Sequence, residues 1–139
     1  MNAVDTNVFV YALDADEPIK QGKALELFQR LTLSAGSTVL LWQVAVEFLS
    51  NLRKRETAQK IAAGDVESRF RNFIALFPLA IPSARTFPAY FDLHGRFSLS
   101  HWDSMLLAAC KEAGVTTLYS EDFDAGTDYD GLTVVNPFA

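Results

Sequence analysis

Four acidic residues spread along the chain, Asp5, Glu47, Asp103 and Asp122, are of a type and placement that could do chemistry together. Carboxylates gathered within a few ångströms repel one another, and some must take up protons unless a cation intervenes. A divalent ion removes that conflict. An all-oxygen donor set suits a hard ion, Mg²⁺ or Mn²⁺. Zinc is poorly served, because the single cysteine, Cys110, and the two histidines, His94 and His101, show no ligand spacing. Cys110 reads as a small core residue, and the histidines as helix-terminal or surface groups.

Each acid also has a plainer reading. Asp5 opens the run Asp5-Thr6-Asn7, whose side chains suit the turn that ends a strand. Glu47 has the place of an ordinary helical glutamate with mostly polar neighbours. Ser100-His101-Trp102-Asp103 has the spacing of a capping box, and an acid there complements the helix dipole. Asp103 nevertheless shares a helix face with Leu106, Leu107 and Cys110, which turns it toward the core. Asp122 lies in Ser120-Glu121-Asp122-Phe123-Asp124, an acidic turn in which Asp124 is the substitute for the fourth position.

The elements that must position these acids follow from the apolar pattern. Short apolar runs are expected as strands around Ala3–Val4, at Ser37–Leu41, Leu79–Ile81, Thr116–Tyr119 and Leu132–Val135. Between them the spacing predicts helices over Val8–Leu13, Ile19–Ala35, Gln43–Arg55, Asp65–Phe77, Ser83–Arg96 and Ser100–Ala113. Pro18 suits a helix start, and Gly36 and Gly114 suit helix stops. Strands alternating with helices imply an α/β fold, a central and mainly parallel sheet covered on both faces in three layers. In such sheets the ligand crevice lies beyond the carboxyl ends of the strands, where Asp5 and Asp122 fall.

The chain has 139 residues, half of them hydrophobic, which suits one domain over 1–139 with its own core. One cysteine cannot form an internal bridge, which fits a reducing cytosol. No secretory leader or membrane-spanning stretch is expected. The formal charge of −5 argues against a nucleic-acid binder, but the charge is unevenly spread. Arg53, Lys54, Arg55, Lys60, Arg69 and Arg71 make a basic middle, either a solvated helix face or a phosphate-facing one. No Lys or Arg follows Lys111.

The ordered set Asp5-Thr6-Asn7, an early helical Glu47, Trp102-Asp103 at a helix start and Ser120-Glu121-Asp122-Phe123 after a strand resembles the PIN domain. In size and order the chain is similar to the VapC-type toxins of bacterial toxin–antitoxin pairs. The likeness runs from Val4 to Phe138. It implies a metal-dependent ribonuclease in which Asp5, Glu47, Asp103 and Asp122 hold Mg²⁺ or Mn²⁺. Thr6, Asn7 and Ser120 then match polar positions that brace the acids. It further implies an RNA substrate, a cognate antitoxin and a homodimer. Phe87, Tyr90, Phe91 and Phe97 supply either an interface or core aromatics. Arg53, Lys54 or Arg55 would hold the RNA backbone. Two alternatives stand beside this: a Mg²⁺-dependent phosphatase with a nucleophilic Asp, and a non-catalytic PIN-like binding module. The phosphatase pattern expects Asp two residues after Asp5, where this chain has Asn7.

Overall fold

Pro18 takes the first position of its helix, and Gly114, at φ +74°, ends another. Both follow from backbone preference: proline has no N–H to lose there, and glycine enters the left-handed region freely. Between such markers the computed structural model describes residues 1–34 and 36–139. The chain runs β1 (Asn2–Val4), α1 (Thr6–Leu13), α2 (Pro18–Thr32), β2 (Leu40–Leu41), α3 (Trp42–Thr57), α4 (Asp65–Ile74) and β3 (Leu79–Ala80). It continues with α5 (Thr86–Phe97), α6 (His101–Glu112), β4 (Thr117–Tyr119), β5 (Asp128–Tyr129) and β6 (Leu132–Val135).

The main sheet has the order β1-β4-β6-β5. β1–β4 and β4–β6 pair in parallel, while β5 joins β6 antiparallel. β2 and β3 form a second parallel pair, linked to β1 by a bridge between Asn2 and Thr38. The architecture is the expected α/β one, helices around a mainly parallel sheet. Ala3, Val4, Leu118 and Val134 are buried in that sheet, as expected for strands covered on both faces.

The element boundaries differ where local chemistry decides them. Of Ser37–Leu41, only Leu40–Leu41 is regular strand. The segment changes partner midway: Val39 N donates to Asn2 O, and Leu40 N donates to Pro78 O. α5 starts at Thr86 rather than Ser83, which places Pro88 in the first turn, where its missing N–H leaves no bond unmade. α4 ends at Ile74 rather than Phe77, the chain tightening into a turn in which Leu76 N donates to Phe73 O at 3.1 Å, and Pro78 disfavours a helical Phe77 beyond it. α2 stops at Thr32, and the expected end at Ala35 lies outside the described residues.

One strand, β5, was not expected. The acidic stretch after β4 reads as a turn, yet Asp128–Tyr129 pairs with Leu132–Thr133 around Asp130-Gly131. Both of those residues have positive φ, 59° and 89°. An Asp-Gly pair between two strand-forming residues is the available signal for such a hairpin.

A cluster of aromatic rings fastens the helices on one side. Phe9 of α1 stacks on Phe28 of α2 at 4.6 Å and meets the edge of Phe73 of α4 at 4.2 Å. Phe73 in turn stacks on Phe48 of α3 at 3.8 Å. At the start of α6, Ser100 Oγ accepts from Asp103 N at 3.2 Å. Ser100→Ala is expected to lower the unfolding free energy by about 1 kcal/mol in a urea titration. An unchanged midpoint would show that water replaces the cap without cost.

Candidate functional site

Asp5 ends β1 and caps α1 in the same residue. Its backbone N–H donates to Tyr119 O of β4 at 2.9 Å, which continues the sheet one residue past the strand. Its Oδ1 accepts from Thr6 N at 2.7 Å, the N-cap bond of α1. Its Oδ2 accepts from Ser120 Oγ at 2.7 Å. Ser120 is fully buried and follows β4, the strand beside β1, so parallel pairing sets the two side by side.

The three polar residues expected to brace acids each contact one. Thr6 Oγ1 donates to Glu47 Oε2 at 2.7 Å. Asn7 Nδ2 donates to Asp122 Oδ2 at 2.9 Å. Ser120 Oγ holds Asp5 and also accepts from Asp122 N at 3.1 Å. Glu47 reaches this point because α3 begins at the carboxyl end of β2, which places the residue in its second turn. Asp124 is exposed, and it is Asp122 that Asn7 holds.

Asp103 is not among the acids brought against Asp5, whose charged neighbours are Asp122 and Glu47. Gln43 Nε2 donates both to Glu47 Oε1 at 3.0 Å and to Trp102 O at 3.3 Å, tying α3 to the first turn of α6. Cys110 is wholly buried on the inner face of α6, and burial, with the Asp5 charge adding to it, pushes its thiol up. Asp103 lies two helical turns before Cys110 on that face and is half-buried. Gln43 was missed in the sequence; its place four residues before Glu47, a spacing at which helical side chains meet, is the signal that marks it.

The electrostatics follow from burial. Asp5 is only 6% exposed. Burial, reinforced by the charges of Asp122 and Glu47, pushes its carboxyl up to about 6 despite the bonds from Ser120 and Thr6. Among the described residues, no group of three or more His, Cys, Asp or Glu is drawn tightly enough to grip an ion as it stands. The donor set nonetheless fits a hard divalent cation. A buried carboxylate is strained by two like charges, and beside it the buried Asn7 Oδ1 has no hydrogen-bond partner among the described residues.

Next to Glu47 opens an apolar groove of about 680 Å³. Trp42, Val46, Ile81, Trp102 and Met105 line it. The four aromatics expected to act as a set divide. Phe87 and Phe91 are exposed, the latter by 70%, whereas Phe97 packs on Tyr129 and Tyr90 stacks on His94.

The fold and this arrangement define a class: a parallel α/β domain whose carboxylates collect beyond the carboxyl ends of β1 and β4. The PIN domain profile matches residues 3–127, and the chain belongs to the PIN domain family. Solved structures agree on the fold. A toxin–antitoxin complex from Klebsiella pneumoniae aligns with a TM-score of 0.67 at 17% identity, over 99% of this chain and 98% of that one. VapC20 of Mycobacterium tuberculosis, a toxin that cleaves the sarcin-ricin loop, aligns at 0.66 and 15% identity, over 89% and 92%. VapBC2 of Rickettsia felis, bound to a DNA fragment from its promoter, aligns at 0.68 and 14%, over 97% of each chain. No curated protein matches in sequence. Among the described residues, no helix is long and apolar enough to cross a membrane.

Proposed function

We propose that this chain, as a single PIN-like domain, is a metal-dependent ribonuclease and the toxin of a toxin–antitoxin pair. The observation that carries the reading is the braced carboxylate set, with Thr6 on Glu47, Asn7 on Asp122 and Ser120 on a buried Asp5. Asp5, Glu47, Asp103 and Asp122 would hold Mg²⁺ or Mn²⁺. Bound there, the ion supplies an activated water and stabilises charge on the attacking and leaving oxygens of a phosphodiester. The chain's own residues keep the acids in place. Ser120 and Thr6 N fix both oxygens of Asp5, and Gln43 and Thr6 fix both oxygens of Glu47. The sheet behind Asp5 shields it from water, which strengthens every charge interaction at the site.

A nucleophilic-Asp phosphatase is served less well. Asp5 is buried, with both oxygens already accepting bonds, and Asn7 replaces the acid such an enzyme places two residues on. The reading extends to partners. The fold neighbours include toxin–antitoxin complexes, and the groove beside Glu47, with exposed Phe87 and Phe91, offers apolar surface for an antitoxin or a second copy. A cytoplasmic setting accords with the single, buried, unpaired cysteine.

The test is cleavage of a mixed cellular RNA pool by purified protein in Mg²⁺ or Mn²⁺, against EDTA. Cleavage is expected only with the ion. RNA left intact under both conditions, or cut equally in EDTA, would sink the proposal.

A further inference from the structure

α3 carries Glu47 near its start and two adjacent cations near its end. Of the 12 basic side chains, six are paired with carboxylates among the described residues. Arg53 is one of these, held by Glu56 at 3.2 Å. Lys54 and Arg55 are not. Arg55 Nε donates to Asn51 Oδ1 at 3.1 Å, which steadies the guanidinium without neutralising it. Lys54 is exposed and, among the described residues, has neither an ion pair nor a hydrogen bond through its ammonium.

Helix geometry aligns these cations with the carboxylate centre. Seven residues are close to two full turns, so Lys54 lies ~20° around the axis from Glu47 and ~10 Å further along. Asn51 sits between them on the same face and holds Arg55 toward it. Arg53 is ~120° away around the helix, on the side where Glu56 meets it. Lys54 also lines a shallow cleft with Ser50, Arg53 and Thr57, in which the Ser50 hydroxyl suits a phosphate oxygen while Thr57 Oγ1 donates to Arg53 O at 3.1 Å. A chain of net charge −5 thus keeps two uncompensated positive charges in line with its acids.

We propose that Lys54 and Arg55 form a phosphate-binding track that holds the RNA strand beyond the scissile phosphate, the charge of the neighbouring Arg53 being already met by Glu56. The proposal rests on the ribonuclease reading above. It differs from the role those cations have as partners of the α3 dipole at its last turn, which would act on helix stability alone.

The experiment measures binding of a labelled single-stranded RNA to metal-free Asp5→Asn protein, which leaves the RNA uncut, between 50 and 200 mM salt. Adding Lys54→Gln and Arg55→Gln is expected to flatten the slope of log affinity against log salt by ~1.4, about 0.7 for each phosphate no longer neutralised. Affinity at the low-salt end is expected to fall roughly tenfold. Lys54→Arg should restore its share of the slope, and Arg53→Gln, which removes a charge that Glu56 already meets, should change the slope by less than either track variant. Melting of each variant separates the two roles, since a helix-end role shifts the melting temperature and not the slope. If the double variant keeps the parent slope, the track is overturned while the ribonuclease reading stands. The track is likewise overturned if the two cations prove to bind an acidic protein partner with RNA affinity unchanged. If Asp5→Asn protein binds no RNA and the wild type cuts none, both fall together.

Discussion

Asp5→Asn is expected to abolish most RNA cleavage while leaving the metal-free protein more stable at neutral pH, not less. The loss of activity should be on the order of 10²–10³-fold, the usual cost of removing one group that stabilises developing charge. The stability change follows from linkage. The Asp5 carboxyl stands near 6 in the folded chain, against 3.8 for the free group. The folded state therefore binds the proton more tightly than the unfolded chain does. Stability falls as pH rises from about 4 to about 6, and the full penalty is present above that window. The shift corresponds to about 3 kcal/mol at neutral pH. Asparagine carries no such penalty, but it mispairs one bond with Ser120 or Thr6, which offsets about 1 kcal/mol. A net gain of roughly 1–2 kcal/mol remains. Denaturant titrations of both proteins at pH 5 and pH 7, with EDTA and then with Mg²⁺, test this. The wild type should be weaker at pH 7 than the variant and should overtake it when Mg²⁺ is added. A variant that is destabilised by more than 1 kcal/mol in EDTA, or that responds to Mg²⁺ as the parent does, would contradict the placement of a strained charge at this position.

Phe9→Ala should cost about 3–5 kcal/mol of unfolding free energy. Phe9 is 2% exposed and contacts Phe28 at 4.6 Å and Phe73 at 4.2 Å, with Phe48 at 6.2 Å. Its removal leaves a cavity where four helices meet, and rings stacked on one another collapse poorly into such a space. Against a total stability of roughly 5–15 kcal/mol the loss is severe. Phe9 also lies on α1, three residues after Thr6 and two after Asn7, so loosening α1 loosens the braces on Glu47 and Asp122. Phe9→Leu, which keeps most of the volume, should lose far less. A urea titration decides the matter: a loss under 2 kcal/mol for the alanine variant would mean that the cluster repacks around the gap.

Much of this was legible in the residues themselves. Alternating apolar strands and helices gave the α/β class, because hydrophobic period reports directly which faces are buried. Pro18, Ser100 and Gly114 marked helix ends, because each acts through the backbone of its own few residues. The four acids stood out by type, and Asp5 and Asp122 also by their position after strands. The β5 hairpin was hidden by acidic residues that read as loop, although Asp130-Gly131 carried its signal.

What the chain could not state on its own is which groups meet across long stretches of sequence. Thr6 and Glu47 are 41 residues apart, and Asn7 meets Asp122 across 115, as Ser120 meets Asp5. The last two contacts exist because β1 pairs with β4, and the first because the segment leading into β2 and α3 bridges to β1, choices made by burial of Ala3, Val4 and Leu118 between two layers and not by any local pattern. The same holds for the basic segment and the aromatics. Arg53, Lys54 and Arg55 are alike in sequence, and Phe87, Tyr90, Phe91 and Phe97 are nearly so. Rotation about α3 and α5 then gives Arg53 a carboxylate and leaves Lys54 with none among the described residues, half-buries Phe97 and exposes Phe91. Composition and spacing set which chemistry was possible, and tertiary packing decided which atoms share a site, because strand order and helix facing depend on the whole core at once.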